Sequence, residues 1–414
     1  MTAMAVNTPS PEFLEVFRQH AGPEGAISFA HFMELALYHP DAGYYAQRRR
    51  RIGREPDTDF FTATSLGPVF GELVVAACLD LLGRHPPHEH TFVEVGAEIS
   101  AGIMQSNSDP TPPLKNHLVG GVGACLQAIP PVQSRASSLL QLHGPDSTSA
   151  SAGAKALADM QDRLGGVSSP TGSVLTGVAH PFAEAVTISL GQPLRFPARA
   201  IVFSNELFDA QPCHRLVRES DRWRESGVGL RDESLEEVLL PEFTPEVQAV
   251  LDRLPASAPD GYRIDLPLAA ARLASRIAAQ PWAGLFVAFD YGKSWRELAE
   301  DTPAGTVRAY FRHRQGNDLL ARPGEQDLTC HVCWDWLSEA LTAHGFAAPV
   351  LESQEAFFVH HSSTALSRLT AAEAGRFSGR KLGVMQLLHP GNMGQKFQVL
   401  WARREQIGQA ENHE

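Results

Sequence analysis

The sequence predicts an α/β fold in which a mainly parallel sheet is buried between helices. Three short apolar runs are the first observation: "TFVEV" (Thr91–Val95), "AIVFS" (Ala200–Ser204) and "LFVAF" (Leu285–Phe289). Their apolarity is continuous rather than alternating, which is typical of strands covered on both faces in a parallel sheet. Polar loops bound each run, and the strand–loop–helix order of the chain also favours the α/β class.

Residues 1–90 are predicted to form a helical N-terminal segment. The string "SFAHFMELALY" has Ser28 as a suitable N-cap and places four apolar side chains on one helical face, namely Phe29, Phe32, Met33 and Leu37. The string "PVFGELVVAACLDLLG" predicts a second apolar helix that ends at Gly83. The long stretch between the two helices contains many turn-forming and charged residues. A loop of this length in a compact protein more often has a function than serves only as a connection.

Residues 105–173 differ in composition from the rest of the chain. They contain no Phe, Tyr or Trp and are rich in Ser, Pro and Gly. Because such a segment cannot build much of a core, we interpret it as a low-complexity, poorly ordered insertion after the first strand. Residues 91–104 and 174–414 then form one core, which closes with "FQVLWARR" as its final strand.

The composition excludes several classes of function. The formal net charge of −12 argues against non-specific binding of nucleic acid and suits a partner that presents a basic tail or an arginine. No apolar run approaches the ~20 residues that a membrane span needs. The N-terminus "MTAMAVNTPSPEF" lacks the pattern of a signal peptide, and the five cysteines do not form a disulfide framework, so we expect a cytoplasmic protein.

The string "SNELFDAQPCHRLV" is the most informative motif. Asn205, Glu206 and Asp209 follow a predicted buried strand, and Asp290 of "FDYG" follows another, where ligands bind in open α/β sheets. Alternatively, Asn205 caps a following helix and the acids are solvated. Carboxylates in a shared cleft could hold the guanidinium group of an arginine and accept a proton from it. They could equally bind an Arg or Lys of a structural partner.

The string "DLTCHVCWDWL" contains Cys330, His331 and Cys333. A zinc site needs about four ligands, and the sequence has no second Cys pair at a useful spacing, so we predict no metal site. The string is better explained as a strand-to-helix turn with Asp327 or Thr329 as the cap.

Seven strings occur in the order in which they are found in one enzyme family. They are "FMELALYHPDAGYY", "DTDFFTATSLGPVFGEL", "SNELFDAQPCHRLV", "FDYG", "GTVRAYFRHR", "PGEQDLTCHV" and "HPGNMGQKFQVL". Together they resemble the MidA-type methyltransferase family, which includes the mitochondrial complex I assembly factor that methylates arginine. The resemblance implies a Rossmann-like methyltransferase core with additional helical and inserted segments, and S-adenosylmethionine as the cofactor.

The resemblance also assigns site residues. On the cofactor side it implies Asp59, from a "GDF"-like element, together with Gly96 and Asn205 at the ends of two predicted strands; Glu98, close after Gly96, is a further cofactor candidate because its charge could suit a sulfonium cation. On the acceptor side it implies three carboxylates with a catalytic role: Glu206, Asp209 and Asp290. The chain departs from the family at the first glycine loop, since the family has "GAGxG" and this chain has Glu98 and Ile99 after Gly96 and Ala97.

A second departure concerns the acid that the family carries at the end of its second strand, which would grip the ribose hydroxyls. The region "VLTGVAHPFAEAVTISLGQPL" shows no clear equivalent, and Glu184 is the nearest acid. The first prediction is therefore an S-adenosylmethionine-dependent methyltransferase that acts on an arginine of a protein substrate. The alternative is a non-catalytic relative, a binding or assembly factor that keeps the cleft without a working cofactor site.

Overall fold

A computed structural model describes eight stretches of the chain: residues 9–22, 25–47, 63–66, 68–96, 173–175, 177–189, 192–375 and 378–405. Two of the predicted cofactor residues, Asp59 and Glu98, lie outside the described residues. The predicted insertion, residues 105–173, also lies outside them, with the exception of Ser173.

Helices and strands alternate along most of the described chain. The α-helices in these stretches are α1 (Pro11–Ala21), α2 (Phe29–Tyr38), α3 (Pro68–Leu82), α4 (Pro245–Gln248), α5 (Leu268–Ala278), α6 (Trp295–Glu300), α7 (Trp334–Ala343), α8 (Gln354–His361), α9 (Ser363–Ala372) and α10 (Gly379–Leu388). The strands are β1 (Ala26–Ser28), β2 (Thr91–Val95), β3 (Glu184–Ile188), β4 (Arg199–Asn205), β5 (His214–Glu219), β6 (Arg222–Arg231), β7 (Ser234–Leu239), β8 (Arg263–Leu266), β9 (Ala283–Asp290), β10 (Gly292–Lys293), β11 (Arg308–Phe311), β12 (Arg314–Gly316), β13 (Asp327–Thr329), β14 (Val332–Cys333), β15 (Val350–Ser353) and β16 (Gln398–Arg404).

The central sheet has six strands in the order β15-β16-β9-β4-β2-β3. The pairs β9–β4, β4–β2 and β2–β3 are parallel, and β16 runs antiparallel to both of its neighbours. All three predicted apolar strands are present, as β2, β4 and β9, and "FQVLWARR" forms β16. The predicted α/β fold with a mainly parallel sheet is therefore confirmed.

Smaller sheets come from the segments between the strands of the central sheet. Strands β1, β6, β5 and β8 form an antiparallel sheet in that order, and β7 also pairs with β6. Strand β1 belongs to the N-terminal segment that was predicted to be helical, and its pairing with β6 connects that segment to the core. Strands β12, β11 and β13 form a third, antiparallel sheet, and β10 pairs in parallel with β14.

The predicted N-terminal helices begin and end for the expected reasons. Helix α2 starts after Ser28, whose Oγ accepts a hydrogen bond from the His31 backbone N–H at 3.2 Å. Helix α3 ends before Gly83, which adopts φ of +60°, a conformation that glycine reaches without steric cost. Helix α3 packs on the central sheet, where the Phe70 ring meets that of Phe289 edge to face at 5.4 Å between centroids.

The predicted caps of the "DLTCHVCWDWL" string are wrong. Asp327 and Thr329 lie in β13, and two further strand residues separate them from α7, whose N-cap position is Cys333. Asp327 instead accepts a hydrogen bond from the Tyr45 hydroxyl at 3.1 Å. The extra strand β14 forms because its two residues pair with β10, a contact distant in sequence that the local pattern does not contain.

Candidate active site

The carboxyl ends of β2, β4 and β9 lie side by side at one edge of the central sheet. Asn205 pairs with Phe289 across β4 and β9, so Asp290 follows at the same edge. Gly96 comes directly after β2, which pairs with the other side of β4. The chain leaves β2 toward β3 and later returns on the opposite side as β4, and ligands bind in the crevice at such a reversal of strand order.

Glu206 turns the chain sharply at the end of β4. Its φ of +53° lies in the left-handed region, which is uncommon for a residue other than glycine and often marks a functional site. Its backbone N–H donates to the Phe289 carbonyl at 2.8 Å, and its side chain accepts a hydrogen bond from Asn205 Nδ2 at 3.0 Å. A turn leads from here to β5, so Asn205 does not cap a following helix, and Glu206 is completely buried rather than solvated.

Asp209 and Asp290 form a buried pair of carboxyl groups. The Asp290 carboxylate accepts hydrogen bonds from the backbone N–H groups of Phe208 and Tyr291, each at 2.9 Å, and it also shares a hydrogen bond with the Asp209 side chain. Burial raises the pKa of Asp290 to about 7, against the opposing effect of these hydrogen bonds. A hydrogen bond between two carboxyl groups requires a proton on one of them, so the pair can hold and release a proton near neutral pH.

The segment that follows β13, residues 330–332, helps to fix the position of this pair. The Cys330 backbone N–H donates to the Asp209 carbonyl at 2.7 Å, and the Val332 N–H donates to the Tyr291 carbonyl at 3.1 Å. The rings of Tyr291 and His331 meet edge to face at 5.5 Å. Sequence reasoning considered His331 only as a metal ligand, although it lies two residues beyond the end of a strand, much as Asp209 lies four residues beyond the end of β4.

The N-terminal segment also supports the turn after β4. The Tyr38 hydroxyl, at the end of α2, donates to the Ala210 carbonyl at 2.9 Å, and its ring stacks on that of Tyr45 at 5.4 Å. Both tyrosines come from "FMELALYHPDAGYY", one of the family strings, so the structure gives a physical reason for the presence of this string.

Among the described residues, the cofactor side of the cleft contains fewer polar groups than the carboxylate side. Gly96 has φ of +91°, which disfavours any side chain, and its N–H donates to the Ile188 carbonyl of β3 at 2.9 Å. Ser189 follows β3 at its carboxyl end, whereas Glu184 lies at the opposite end of that strand and is exposed. Glu184 is therefore not at the edge where the cleft lies, and the described residues place no acid directly after β3.

Asn205 is the described residue best placed to hold part of a cofactor. It is buried, and its Oδ1 atom has no hydrogen-bond partner among the described residues. Buried polar atoms are normally satisfied, so this oxygen fits a donor on a bound ligand such as an ammonium group. Together with the open backbone at Gly96, this acceptor oxygen fits the amino-acid portion of S-adenosylmethionine, while the described residues place no carboxylate on the ribose side.

Glu94 is a buried acid that sequence reasoning missed. It lies within β2, and its Oε2 accepts a hydrogen bond from the Val174 backbone N–H at 2.8 Å. Burial raises the pKa of Glu94 to about 7, while hydrogen bonds from Ser173 and Val174 lower it. The available signal was a glutamate in an otherwise apolar strand, and it was overlooked because the run was interpreted by its apolar residues.

Two features are absent from the described residues. No group of three or more His, Cys, Asp and Glu side chains in these stretches is arranged to hold a metal ion. In the same part of the chain, no helix is both long and apolar enough to cross a membrane.

Comparisons with known proteins agree with this geometry. Residues 180–351 match the family model described as "Putative S-adenosyl-L-methionine-dependent methyltransferase". Curated relatives include the mitochondrial protein arginine methyltransferase NDUFAF7 of Danio rerio, 25% identical over 76% of this chain and 68% of the relative. The NDUFAF7 homologue of Drosophila melanogaster is 26% identical over 74% of this chain and 65% of the relative. The chain thus spans about two thirds of the length of these relatives.

A solved structure shares the fold over nearly the whole chain. It is that of a COG1565 superfamily member from Burkholderia thailandensis bound to S-adenosyl-homocysteine, with a TM-score of 0.67 and 24% identity. The match covers 96% of this chain and 94% of that one, so the additional helical segments are part of the shared fold. The family-model match and the curated relatives support the resemblance to the MidA-type family of S-adenosyl-L-methionine-dependent methyltransferases, and the solved structure shows the shared fold.

Proposed function

We propose that the protein transfers a methyl group from S-adenosylmethionine to an arginine of a protein substrate. The observation that carries the proposal is the group of three buried carboxylates, Glu206, Asp209 and Asp290, at the ends of two adjacent strands. The names of the curated relatives, which are protein arginine methyltransferases, support the same acceptor.

The three carboxylates suit each requirement of a guanidinium acceptor. Arginine stays protonated in proteins and is a poor nucleophile until a proton leaves. Glu206 would hold the guanidinium group through paired, charge-assisted hydrogen bonds and orient one of its nitrogen atoms. The Asp209–Asp290 pair would take the proton that this nitrogen loses, because the pKa of Asp290 lies near neutrality.

The cofactor would be held at the ends of β2 and β4. S-adenosylmethionine supplies an electrophilic methyl group and leaves as S-adenosyl-homocysteine. Gly96 would allow close approach of the backbone, and Asn205 Oδ1 would accept a hydrogen bond from the ligand. Asp59 and Glu98 complete the proposed set from their positions in the sequence; a carboxylate at Glu98 would attract a sulfonium cation.

The test uses the purified full chain, S-adenosylmethionine with a tritiated methyl group, and a library of arginine-containing peptides. We expect label on arginine, located by mass spectrometry. Asp209→Asn should lower the rate at least ~100-fold, since an amide neither accepts the proton nor pairs with guanidinium. Asp260→Asn, which changes an exposed aspartate in the loop before β8, is the matched control and should leave the rate unchanged. Full activity in the Asp209 variant would contradict the assigned role.

One observation favours a second function, a non-catalytic binding or assembly factor. In the glycine loop that follows β2, Glu98 and Ile99 replace the small residues that the family carries. Isothermal titration of the full chain with S-adenosylmethionine separates the two functions. Measurable binding supports the transferase, whereas no heat of binding at millimolar cofactor supports the non-catalytic role.

A further inference from the structure

Two adjoining cavities lie beside β11 and β12, outside the carboxylate cleft. Their volumes are about 590 and 550 Å³, and they share Asp318 as a wall residue. Their only other acid among the described residues is Glu237. We call the two cavities together the arginine groove, because their walls contain six arginines: Arg215, Arg263, Arg308, Arg312, Arg314 and Arg322. The groove therefore carries a net positive charge, although the formal net charge of the chain is −12.

Half of these arginines carry charge that no described residue neutralises. Arg308, Arg314 and Arg322 form no ion pair with any described carboxylate. The Arg308 guanidinium donates only to backbone carbonyls, at 2.7 and 3.2 Å. The Arg322 guanidinium stacks on the Phe311 ring at 4.5 Å, which limits its rotamers in advance of binding. Ordered and uncompensated guanidinium groups are suited to the recognition of carboxylates.

The arginine groove is connected to the carboxylate cleft by one small sheet. Strand β11 pairs with β12 on one side and with β13 on the other. Strand β13 is followed directly by Cys330, whose backbone N–H donates to the Asp209 carbonyl. Neighbouring strands are about 4.8 Å apart, so an extended peptide of a few residues would cross from the groove to the cleft.

We propose that the arginine groove binds an acidic segment of the protein substrate, close in sequence to the arginine that enters the cleft. This proposal rests on the proposed function, since it assumes a polypeptide acceptor. The arginine groove would then bind acidic residues of the substrate, and the carboxylate cleft would bind its arginine. This arrangement selects both the substrate sequence and the direction in which the substrate binds. The pattern also explains how a strongly acidic protein would bind a substrate that is not simply basic.

The groove fits a polypeptide better than a nucleic acid. The Phe311 ring is covered by Arg322 and lies 5.1 Å from the Arg312 guanidinium, so it offers no open face for a stacked base. The net charge of −12 would repel a long polyanion, whereas a short run of carboxylates would contact only the groove.

The test is fluorescence anisotropy with a fluorescein-labelled peptide of alternating glutamate and glycine, at low salt, with no methyl donor or arginine present. The wild-type chain should bind this peptide. The double variant Arg314→Glu/Arg322→Glu should bind the peptide at least tenfold more weakly than the wild type. The affinity of Arg314→Gln/Arg322→Gln should lie between that of the wild type and that of the double Glu variant. The control is Arg195→Glu, an exposed arginine before β4 at the opposite edge of the central sheet, and it should bind like wild type.

The remaining outcomes would contradict either this proposal or the proposed function. Equal binding by the wild-type and double-variant chains, with melting temperatures that show both to be folded, would overturn the proposal. So would tighter binding of a single-stranded RNA of equal charge, or of vesicles of anionic lipid. Because the assay contains no S-adenosylmethionine, peptide binding without methyl transfer would count against the proposed function alone. Methyl transfer that is indifferent to acidic residues in the acceptor would count against the groove alone.

Discussion

Replacement of Glu94 by Gln should stabilise the protein above neutral pH. Glu94 is 4% exposed within the central strand β2, where ionisation puts a charge in the core without an arginine or lysine partner among the described residues. Gln keeps the size of the side chain and an oxygen that can accept the Val174 N–H, but it cannot ionise. The substitution therefore removes the cost of the buried charge with little change in packing.

The expected gain follows from the pKa of Glu94. The carboxyl group of the unfolded chain loses its proton near pH 4.5, whereas the folded protein retains it up to a pH of about 7. Between these values the folded state binds more protons, so its stability falls as the pH rises. Each pH unit between these two values lowers the free energy of unfolding by about 1.4 kcal/mol, so the full loss of stability above pH 7 is about 3 kcal/mol. Glu94→Gln should recover this free energy at pH 8 and give no gain below pH 4.5.

The measurement is a pair of thermal melts across pH 5 to 8. Unfolding entropy of about 2.1 cal/mol/K per residue converts about 3 kcal/mol into a rise of about 3–4 °C in melting temperature for this chain. The difference between variant and wild type should grow steadily with pH. Glu184→Gln, at the exposed start of β3, is the control and should show no such trend. A constant difference at all pH values, or a loss of stability at pH 8, would refute the reasoning.

Three further results are expected. The rate of methyl transfer should rise with pH through about 7, because Asp290 must ionise to accept a proton, and a flat profile between pH 6 and 8 would exclude this role. Gly96→Ala should cost about 1–2 kcal/mol of stability, seen in denaturant melts, because φ of +91° is strained for alanine. Arg404→Ala should cost at least about 3 kcal/mol and lower the melting temperature, since the guanidinium group satisfies four backbone carbonyls, three at or just after the end of α5 and one just after α7; an unchanged melt would contradict this.

The central sheet could be predicted because its strands carry strong local signals. The run "TFVEV" became β2 with the same bounds, and "AIVFS" became β4 with one added residue at each end. A strand that is buried on both faces needs apolar residues at almost every position. A continuous apolar run therefore predicts both a strand and a parallel sheet. The carboxyl ends of such strands meet at one edge, and this geometric rule brought Asn205 and Asp290 together in the prediction.

The smaller sheets could not be predicted in the same way. Strands β10 and β14 have two residues each, and their pairing joins parts of the chain about 40 positions apart. No short window of sequence contains that contact, so the helix caps assigned to Asp327 and Thr329 were wrong. Strand β1 was missed for a related reason, since its three residues become a strand only through pairing with β6.

The cleft is built from two pairs of strands that contribute different chemistry. The ends of β4 and β9 carry the three buried carboxylates, while the ends of β2 and β3 provide Gly96 and Ser189 and no described acid. Because each pair of strand ends is fixed by its own backbone hydrogen bonds, substitutions on one side need not disturb the other. The left-handed conformation of Glu206 shows that strain is retained on the carboxylate side, where an unused residue would be free to relax to an unstrained turn. Retained strain beside three buried acids supports the proposal that the acceptor binds on this side, and cofactor affinity should be measured separately from acceptor binding.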